Sequence, residues 1–144
     1  MSISSSSIFL DVTKRSKIMI GSNVRIAHHF QISCANEVRI NDNVNIAPFV
    51  FITDHNHRFE DPMIPIKDQG ISMEENSSVV IGEDSWIGTK ATIIGKVHIG
   101  KHCVIGANSV VTKSIPDYCI AIGSPARIIK RYNPEIKKWE KLKE

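Results

Sequence analysis

The 144-residue sequence predicts an all-β domain, a parallel β-helix in which short strands stack into a coil. Two spacings predict it: apolar residues recur at every sixth position, and a second, mostly small residue follows each of them four positions later. The first series is Ile81, Ile87, Ile93, Ile99, Ile105 and Val111, and the second is Ser85, Ala91, Val97, Cys103, Ser109 and Ile115. Neither the 3.6-residue period of a helix nor the two-residue period of a strand produces a strict repeat of six.

Both series are expected to point into the coil. Leading residues of successive turns would then stack on one another at the spacing of paired strands, about 4.8 Å. Glycine recurs just after the leading residue, at Gly82, Gly88, Gly100 and Gly106. We expect these glycines, with Asn and Asp, to supply corner backbone angles that branched residues resist.

A less regular version of the same repeat precedes residue 53. Lys14 occupies one of its expected inward places, which indicates a frayed or capped first coil. The repeat comprises Ile8 with Val12, Ile20 with Val24, Ile26 with Phe30, Ile32, Ile40 with Val44, Ile46 with Val50, and Ile52. The step of eight between Ile32 and Ile40 predicts a short insertion at a corner, around 35–37, which is tolerated because loop-closure entropy grows slowly with length. Between 53 and 78 the repeat is absent, and a segment of this length inside a compact fold is more often functional than not.

The C-terminal segment carries the signals of a short helix. Asn133-Pro134-Glu135 is typical of a helix N-cap followed by proline at the first helical position. Ile136, Trp139 and Leu142 fall three apart on one face of such a helix. We therefore predict a single domain over 1–144, with a protruding loop at 53–78 and a C-terminal helix at 133–144.

Composition narrows the classes of function. The formal net charge of +3 is concentrated at the end of the chain, where seven Lys or Arg face three Asp or Glu from Arg127 onward. Such a basic end suits a solvated face, a nucleic-acid patch or an anchor for a phosphorylated cofactor. The chain has no apolar run that could span a membrane, no secretory pattern at its start, and three cysteines without motif spacing. We expect a cytoplasmic protein with reduced thiols, in which Cys103 packs as a small apolar residue.

Three motifs, added to the repeat, resemble those of hexapeptide-repeat acyltransferases, in particular the xenobiotic and the maltose or galactoside O-acetyltransferases. They are Asn56-His57-Arg58-Phe59, Ser85-Trp86-Ile87-Gly88-Thr89, and Gly106-Ala107-Asn108-Ser109-Val110-Val111-Thr112-Lys113 with Gly123-Ser124-Pro125-Ala126-Arg127. The resemblance covers nearly the whole chain. It implies that the coil is left-handed and triangular, and that the protein is a homotrimer with active sites between subunits.

The resemblance also implies roles at the reacting centre. His57 would be the general base, since a neutral imidazole with a pKa near 6.5 can take a proton from a sugar hydroxyl. Trp86 would lie beside the thioester arm of acetyl-coenzyme A and the acceptor pocket, with the backbone N–H of Thr89 facing the thioester oxygen.

The residues themselves, apart from the resemblance, make His55 and Asp54 candidates for the acceptor site. His55 could orient His57, line the acceptor site or simply face water, and an extended segment would put it on the same side as His57. Asp54 could hold an imidazole tautomer by accepting a hydrogen bond, although a backbone carbonyl would serve equally well.

The third motif implies a coenzyme A groove. Ala107 would offer backbone hydrogen bonds to the pantetheine amides, and Thr112 and Lys113 would lie along the groove. Arg127 and Lys130 would meet the cofactor phosphates through charge-assisted hydrogen bonds. This assignment explains the basic end of the chain. A nucleic-acid site would need aromatic residues interleaved with basic ones, so we expect no nucleic-acid partner, no membrane partner and no metal.

Several alternatives stay open. Maltose and galactoside acetyltransferases place a sugar-binding Asn where Ala27-His28-His29 stands here, so the acceptor could be a free sugar, a glycan precursor or a xenobiotic. An amino-sugar acceptor would make the protein an N-acyltransferase. A γ-class carbonic anhydrase shares the coil and holds zinc through three histidines, but His98 and His102 occupy different places in the hexapeptide. A solenoid scaffold without catalysis is the third class.

Overall fold

A computed structural model describes residues 2–3, 9–12 and 15–142, with side chains from residue 15 onward. Within these ranges the chain winds through three parallel sheets, which form the sides of one coil. We call them face A, face B and face C, in the order in which the chain visits them on each turn. The predicted repeat of short parallel strands is confirmed.

The strands are short, because each hexapeptide supplies one side of the coil. Among the described residues, face A contains the parallel strands Ser2–Ile3, Arg25–Ile26, Asn45–Ile46, Trp86–Ile87, Val104–Ile105 and Cys119–Gly123. Face B contains Phe9–Val12, Gln31–Cys34, Phe51–Thr53, Thr92–Ile94 and Val110–Val111. Face C contains Lys17–Ile20, Glu37–Ile40, Ser78–Ile81 and Val97–Ile99.

The core consists of the residues that the repeat singled out. All members of the two series after residue 78 are at most 5% exposed. The strand register pairs residues that occupy the same place in successive repeats. On face A the successive partners are Ile26, Ile46, Ile87 and Ile105. The earlier run is buried in the same way from Val24 to Ile52, whereas Ile20 is only partly buried. Ile8, Lys14 and the side chain of Val12 lie outside the described part of the chain. The inward direction of both series is therefore confirmed.

The glycines of the repeat have a different purpose from the predicted one. Residues with positive φ at the corners are mostly Asn, Asp, His and other non-glycine types, as at Asn43 and Asn108. At Gly82, by contrast, an added Cβ would lie 2.4 Å from the carbonyl carbon of Gly100 in the next coil. At Gly88 it would lie 2.7 Å from the backbone nitrogen of Ala107. The expectation that these glycines supply corner angles is wrong; they are required because the neighbouring backbone passes too close for a side chain.

Gly82→Ala should therefore destabilise the coil, by about 1–3 kcal/mol, because the methyl group meets backbone that cannot move independently. Gly106→Ala is the matched control. There the added Cβ would meet the Cγ2 atom of Ile122 at 2.6 Å, and that exposed side chain can rotate away. Urea unfolding measures both variants. A loss at Gly82 no larger than the loss at Gly106 would contradict the explanation by backbone contact.

The C-terminal helix predicted at 133–144 is wrong. Residues Ala126–Asn133 and Lys138–Lys141 form an antiparallel hairpin that extends face A beyond Cys119–Gly123. Asn133 does accept a hydrogen bond from the Glu135 amide at 3.0 Å, but the chain then turns back through Lys137 at φ +53°. The cap signal favours a helix locally, but strand pairing outweighs it, because pairing satisfies the free backbone N–H and C=O groups at the edge of face A. Residues 143–144 lie outside the described part of the chain.

The excursion from the coil, which we call the arm, covers residues 54–77. It is one residue shorter at each end than the predicted range 53–78, because Thr53 and Ser78 belong to strands of faces B and C. Asn56–His57 pairs antiparallel with Ile71–Ser72, and a 3₁₀ turn covers Ile66–Asp68. That turn is the one helical element in the described ranges, so no helix there is long enough to cross a bilayer.

Candidate active site

One corner of the coil carries backbone donors that have no partner. Thr89 and Ala107 occupy the same position of the corner between faces A and B in successive coils, linked by the hydrogen bond from the Asn108 amide to the Thr89 carbonyl (2.9 Å). Within the described residues, neither the Thr89 N–H nor the Ala107 N–H donates to any protein group. At the corner between faces C and A, the Lys101 amide is instead satisfied by the Asp117 carboxylate at 2.9 Å.

An exposed aromatic residue lies on the strand that leads to this corner. Trp86 precedes Thr89 by three residues on the outer side of face A, where its side chain is 50% exposed. Strand register places it between Asn45 and Val104. An exposed tryptophan beside a row of unpaired donors is the combination expected for a site that binds a ligand with both apolar and amide groups.

The turn Gly123–Ala126 approaches the same corner from the C-terminal side. The Gly123 amide donates to the Ser109 hydroxyl at 3.1 Å, two residues after Ala107. Arg127 follows this turn, opposite Ile122. The residue is exposed, and its guanidinium donates to the Ala126 carbonyl at 3.0 Å. The corner therefore offers free amides at Thr89 and Ala107, and a cation beyond them.

The other predicted cofactor residues, Thr112, Lys113 and Lys130, do not lie together at this corner within one chain. Thr112 and Lys113 are exposed and follow the strand Val110–Val111, so the width of face B separates them from Ala107. Lys130 lies opposite Ile120 on the outer side of face A. The contribution of these three residues to a cofactor site stays a prediction.

His57 lies on the arm, which is ordered by its own hydrogen bonds. His57 pairs with Ile71, and the Arg58 amide donates to the Gly70 carbonyl at 3.0 Å. The Gln69 side-chain amide donates to the carbonyl oxygens of Asp61 and Ile64, each at 2.8 Å. The imidazole of His57 is exposed in the single chain, so it is available to a substrate, but no contact joins it to Thr89.

Asp54 is the best-satisfied charged group in the described part of the chain. Its carboxylate is 0% exposed and accepts hydrogen bonds from the amides of Ala35, Asn36 and Glu37, at 2.7–2.8 Å. Because a carboxylate only accepts, the His55 Nδ1 atom at 3.0 Å must carry the proton. Burial raises the pKa of Asp54, but the hydrogen bonds from Ala35, His55, Asn36 and Glu37 outweigh burial and lower it below its ordinary value.

The structure shows which imidazole Asp54 holds. Its carboxylate fixes the tautomer of His55, as predicted for an imidazole, and its role in binding a substrate stays a prediction. The carboxylate also holds the corner insertion predicted at 35–37. The Ser77 hydroxyl donates to the Asp54 carbonyl at 2.6 Å, so the two ends of the arm are joined at the same point. Asp54 is thus a positioning residue at the root of the arm that carries His57.

His55 is half-buried beside this root. Thr53 Oγ1 lies 3.2 Å from its Nδ1 atom, in addition to Asp54. The ring lines a cavity of about 220 Å³ whose wall includes Ser72, Glu74 and Lys96. Its role in binding a substrate stays a prediction.

The thiols take no part in the chemistry of this corner. Cys34, Cys103 and Cys119 are buried and unbridged, which confirms the packing predicted for Cys103. Burial, and then the neighbouring Asp54 carboxylate, raise the pKa of Cys34 to about 11. Burial raises the pKa of Cys103 to about 11 as well. Thiols with such pKa values are protonated at neutral pH and are weak nucleophiles.

One cluster at this corner was missed from the sequence. His28 occupies the position of Thr89 two coils earlier, and its Nδ1 atom lies 2.7 Å from Nδ1 of His29. The His29 ring stacks on Phe49 with centroids 4.6 Å apart. The signal was present, because positions 28, 48, 89 and 107 are equivalent places in the repeat, but the insertion at 35–37 and the arm obscure that equivalence.

No group of three or more His, Cys, Asp or Glu side chains is placed to hold a metal ion within 15–142. His98 lies on the outer side of face C, whereas His102 lies at the corner between faces C and A. The described part of the chain therefore contains no cluster of ligands that would support the carbonic anhydrase alternative.

Comparison with known proteins places the chain in a family. A family model described as bacterial transferase hexapeptide (six repeats) matches residues 78–113. The chain is 42% identical over 136 residues to the Escherichia coli K12 protein described as putative lipopolysaccharide biosynthesis O-acetyl transferase WbbJ, covering 92% of this chain and 69% of that protein.

Two solved structures have the same fold. The maltose O-acetyltransferase from Clostridium difficile 630 is 32% identical with a TM-score of 0.69, covering 87% of this chain and 66% of that one. The galactoside acetyltransferase in complex with coenzyme A is 28% identical with a TM-score of 0.71, covering 95% and 72%. This chain thus spans about two thirds of each relative's length.

The fold of these neighbours is the left-handed parallel β-helix, which confirms the predicted fold class apart from its C-terminal helix. The chain belongs to the hexapeptide-repeat acyltransferase family. The motifs predict an acetyltransferase that uses acetyl-coenzyme A. Membership of this family confirms that prediction.

Proposed function

We propose that this protein transfers an acetyl group from acetyl-coenzyme A to a hydroxyl group of a sugar or glycan precursor, with His57 as the general base. The observation that carries the proposal is the pair of unpartnered amides at Thr89 and Ala107, beside exposed Trp86. A groove with amide donors at the spacing of adjacent coils, about 4.8 Å, matches the pantetheine arm of coenzyme A, which is itself a chain of amides.

In this mechanism the transfer is direct. The His57 imidazole takes the proton of the acceptor hydroxyl while that oxygen attacks the thioester carbonyl carbon. The Thr89 N–H donates to the oxyanion that forms, a contribution of about 3 kcal/mol in a dry site. Collapse of the tetrahedral species breaks the carbon–sulfur bond, and the imidazolium returns its proton to the departing thiolate. No protein acyl intermediate is needed, in keeping with the raised pKa values of the Cys34 and Cys103 thiols.

The polarity of the groove supports an orientation for the donor. Arg127 lies beyond Ala107, so the phosphates of coenzyme A would bind at that end and the thioester would reach Thr89 and Trp86. A guanidinium is well suited to phosphate because its N–H groups form paired hydrogen bonds. The acceptor would then enter from the side of the arm.

We also propose a homotrimer, in which the arm of one copy contacts the coil of the next. The arm is ordered, yet Phe59, Met63 and Ile66 are all exposed, Met63 by 87%. Large apolar side chains on an ordered surface mark a place where another chain binds. Such packing would bring His57 of one copy close to the free amides of another copy. Within one chain, no contact joins His57 to those amides.

The acceptor is proposed as a sugar hydroxyl on the strength of the relatives, which are described as lipopolysaccharide, maltose and galactoside acetyltransferases. Assay of thiol release with free sugars, amino sugars and aryl alcohols tests it. Preferred transfer to an amino group would establish the N-acyltransferase alternative. Absence of transfer to any member of the panel would oppose the proposal.

Arg127→Ala should weaken coenzyme A binding about tenfold or more, because a charge-assisted phosphate contact is lost. Arg131→Ala is the matched control, since Arg131 lies on the same strand but pairs with Cys119 and Glu140. Calorimetric titration with coenzyme A measures both. An unchanged Kd in Arg127→Ala would remove this residue from the site. Failure of coenzyme A to bind or to raise the Tm of the unaltered protein would support a scaffold instead.

A further inference from the structure

A cavity of about 280 Å³ lies on the outer side of face A, at its C-terminal end, and is lined by His102, Tyr118, Tyr132 and Trp139. We call it the aromatic basin. It is separate from the row of free amides, because His102 and Tyr118 belong to the corner between faces C and A. Thr89 and Ala107 lie at the opposite edge of face A.

Strand register explains why these rings meet. Tyr118 precedes Ile120 by two residues, Lys130 pairs with Ile120, and Tyr132 follows Lys130 by two. Tyr132 in turn pairs with Trp139 across the hairpin. Residues two apart share one side of a strand, so the hairpin brings its two aromatic rings to the side on which Tyr118 stands.

The arrangement of the rings indicates the shape of an occupant. Successive centroids are 6.0, 6.3 and 5.6 Å apart, with planes inclined by 39°, 42° and 62°. The rings line a concave cavity, and their inclined planes leave no parallel slot for a planar base. The C–H face of a puckered sugar ring fits such a surface, and its hydroxyl rim needs polar neighbours. The Lys101 ammonium, 5.5 Å from the centre of the Tyr118 ring, and the exposed His102 ring supply them.

The basin shares the outer side of face A with the reacting centre. Trp86, Val104 and Ile120 are successive register partners, so two strand spacings and two residues separate Trp86 from Tyr118, about 12 Å in all. A short oligosaccharide spans that distance. Both ends present exposed aromatic surface, with Tyr118 39% exposed.

We propose that the aromatic basin binds a distal sugar ring of an oligosaccharide acceptor whose acetylated ring lies at Trp86. The inference rests on the proposed transfer to a glycan, and it adds that the acceptor is an oligosaccharide rather than a single sugar. The basin contributes to acceptor affinity and takes no part in the chemical step.

A binding experiment tests the basin without requiring transfer. The chain has two tryptophans, so Trp86→Phe leaves Trp139 as the single fluorescent reporter within the basin. The probes are N-acetylglucosamine, triacetylchitotriose and trigalacturonate. We expect a saturable change in emission with at least one trisaccharide, at a concentration at least tenfold below that needed for the single sugar. Tyr118→Ala in the same background should weaken it at least tenfold.

Three outcomes would overturn the proposal. The first is no saturable change with either trisaccharide. The second is a response to uridine diphosphate but to none of the sugars, which would make the basin a nucleotide site. The third is a change of oligomeric state in Tyr118→Ala on size-exclusion chromatography, which would make it a contact between copies.

Kinetics separate this proposal from the proposed function. With a trisaccharide acceptor, Tyr118→Ala should raise the acceptor KM at least tenfold and leave kcat and the KM for acetyl-coenzyme A unchanged. A lowered kcat with an unchanged acceptor KM would contradict the proposed role of the aromatic basin in acceptor binding. Transfer to no sugar at all, with trisaccharide binding intact at Trp139, would overturn the proposed function alone.

Discussion

Replacement of His57 by alanine is expected to lower acetyl transfer by about 100-fold or more, the usual scale for the loss of a general base. Coenzyme A binding should be nearly intact, because the donor groove at Thr89, Ala107 and Arg127 is unaltered. Steady-state release of the thiol measures the first effect, and calorimetric titration with coenzyme A measures the second.

His98→Ala is the matched control for His57. His98 is exposed on the outer side of face C, on a strand that does not contribute to the corner of the free amides. Its replacement should leave turnover within about twofold of the unaltered protein. Unchanged turnover in His57→Ala, or an equal loss in both variants, would refute the assignment of the base.

Asp54→Ala is expected to be the most destabilising of the substitutions considered, by about 3–5 kcal/mol. It leaves three backbone amides without an acceptor at a buried corner, and each unsatisfied buried donor costs about 1–3 kcal/mol before water relieves it. Turnover should fall as well, because the root of the arm that carries His57 loses its anchor. Urea unfolding at neutral pH measures the stability.

Asp42→Ala is the matched control for Asp54. Its exposed carboxylate caps a single corner amide, that of Ser22, at 2.7 Å, so its loss should cost about 1 kcal/mol. Equal losses at the two aspartates would contradict the anchoring role of Asp54.

The pH dependence of stability follows from the lowered pKa of Asp54. A carboxyl group whose folded pKa lies below its unfolded value, about 3.9, stabilises the protein fully above that value. The contribution is lost as the pH falls through the lower folded pKa. The stability difference between the unaltered protein and Asp54→Asn should therefore be constant from pH 7 to about 5 and shrink below about 4. A difference that grows on acidification would contradict this sign.

The coil could be predicted from the sequence because the repeat is encoded residue by residue. A buried Ile or Val at every sixth position, as at Ile87 and Ile105, admits few other arrangements. The glycines were placed correctly but explained wrongly. What excludes a side chain at Gly82 is the backbone of Gly100, 18 positions later in the sequence, and no local pattern reveals that distance.

The C-terminal hairpin and the anchoring role of Asp54 depend on contacts across the chain. Asn133-Pro134-Glu135 has the local form of a helix start, yet the open edge at Cys119–Gly123 recruits this segment as strands. The position of Asp54 next to His55 predicts a place beside the imidazoles, but it does not predict that the carboxylate holds another corner of the coil. Its partners, the amides of 35–37, are one coil earlier, and only the folded corner brings them together.

The most direct test is a crystal structure of the protein with coenzyme A bound. We expect the pantetheine arm to lie along the corner of Thr89 and Ala107, with the cofactor phosphates at Arg127. We also expect a His57 imidazole, supplied by a neighbouring copy, to lie within about 3–4 Å of the thiol sulfur. Coenzyme A bound on another surface, or every His57 ring far from that sulfur, would contradict the proposed site and mechanism.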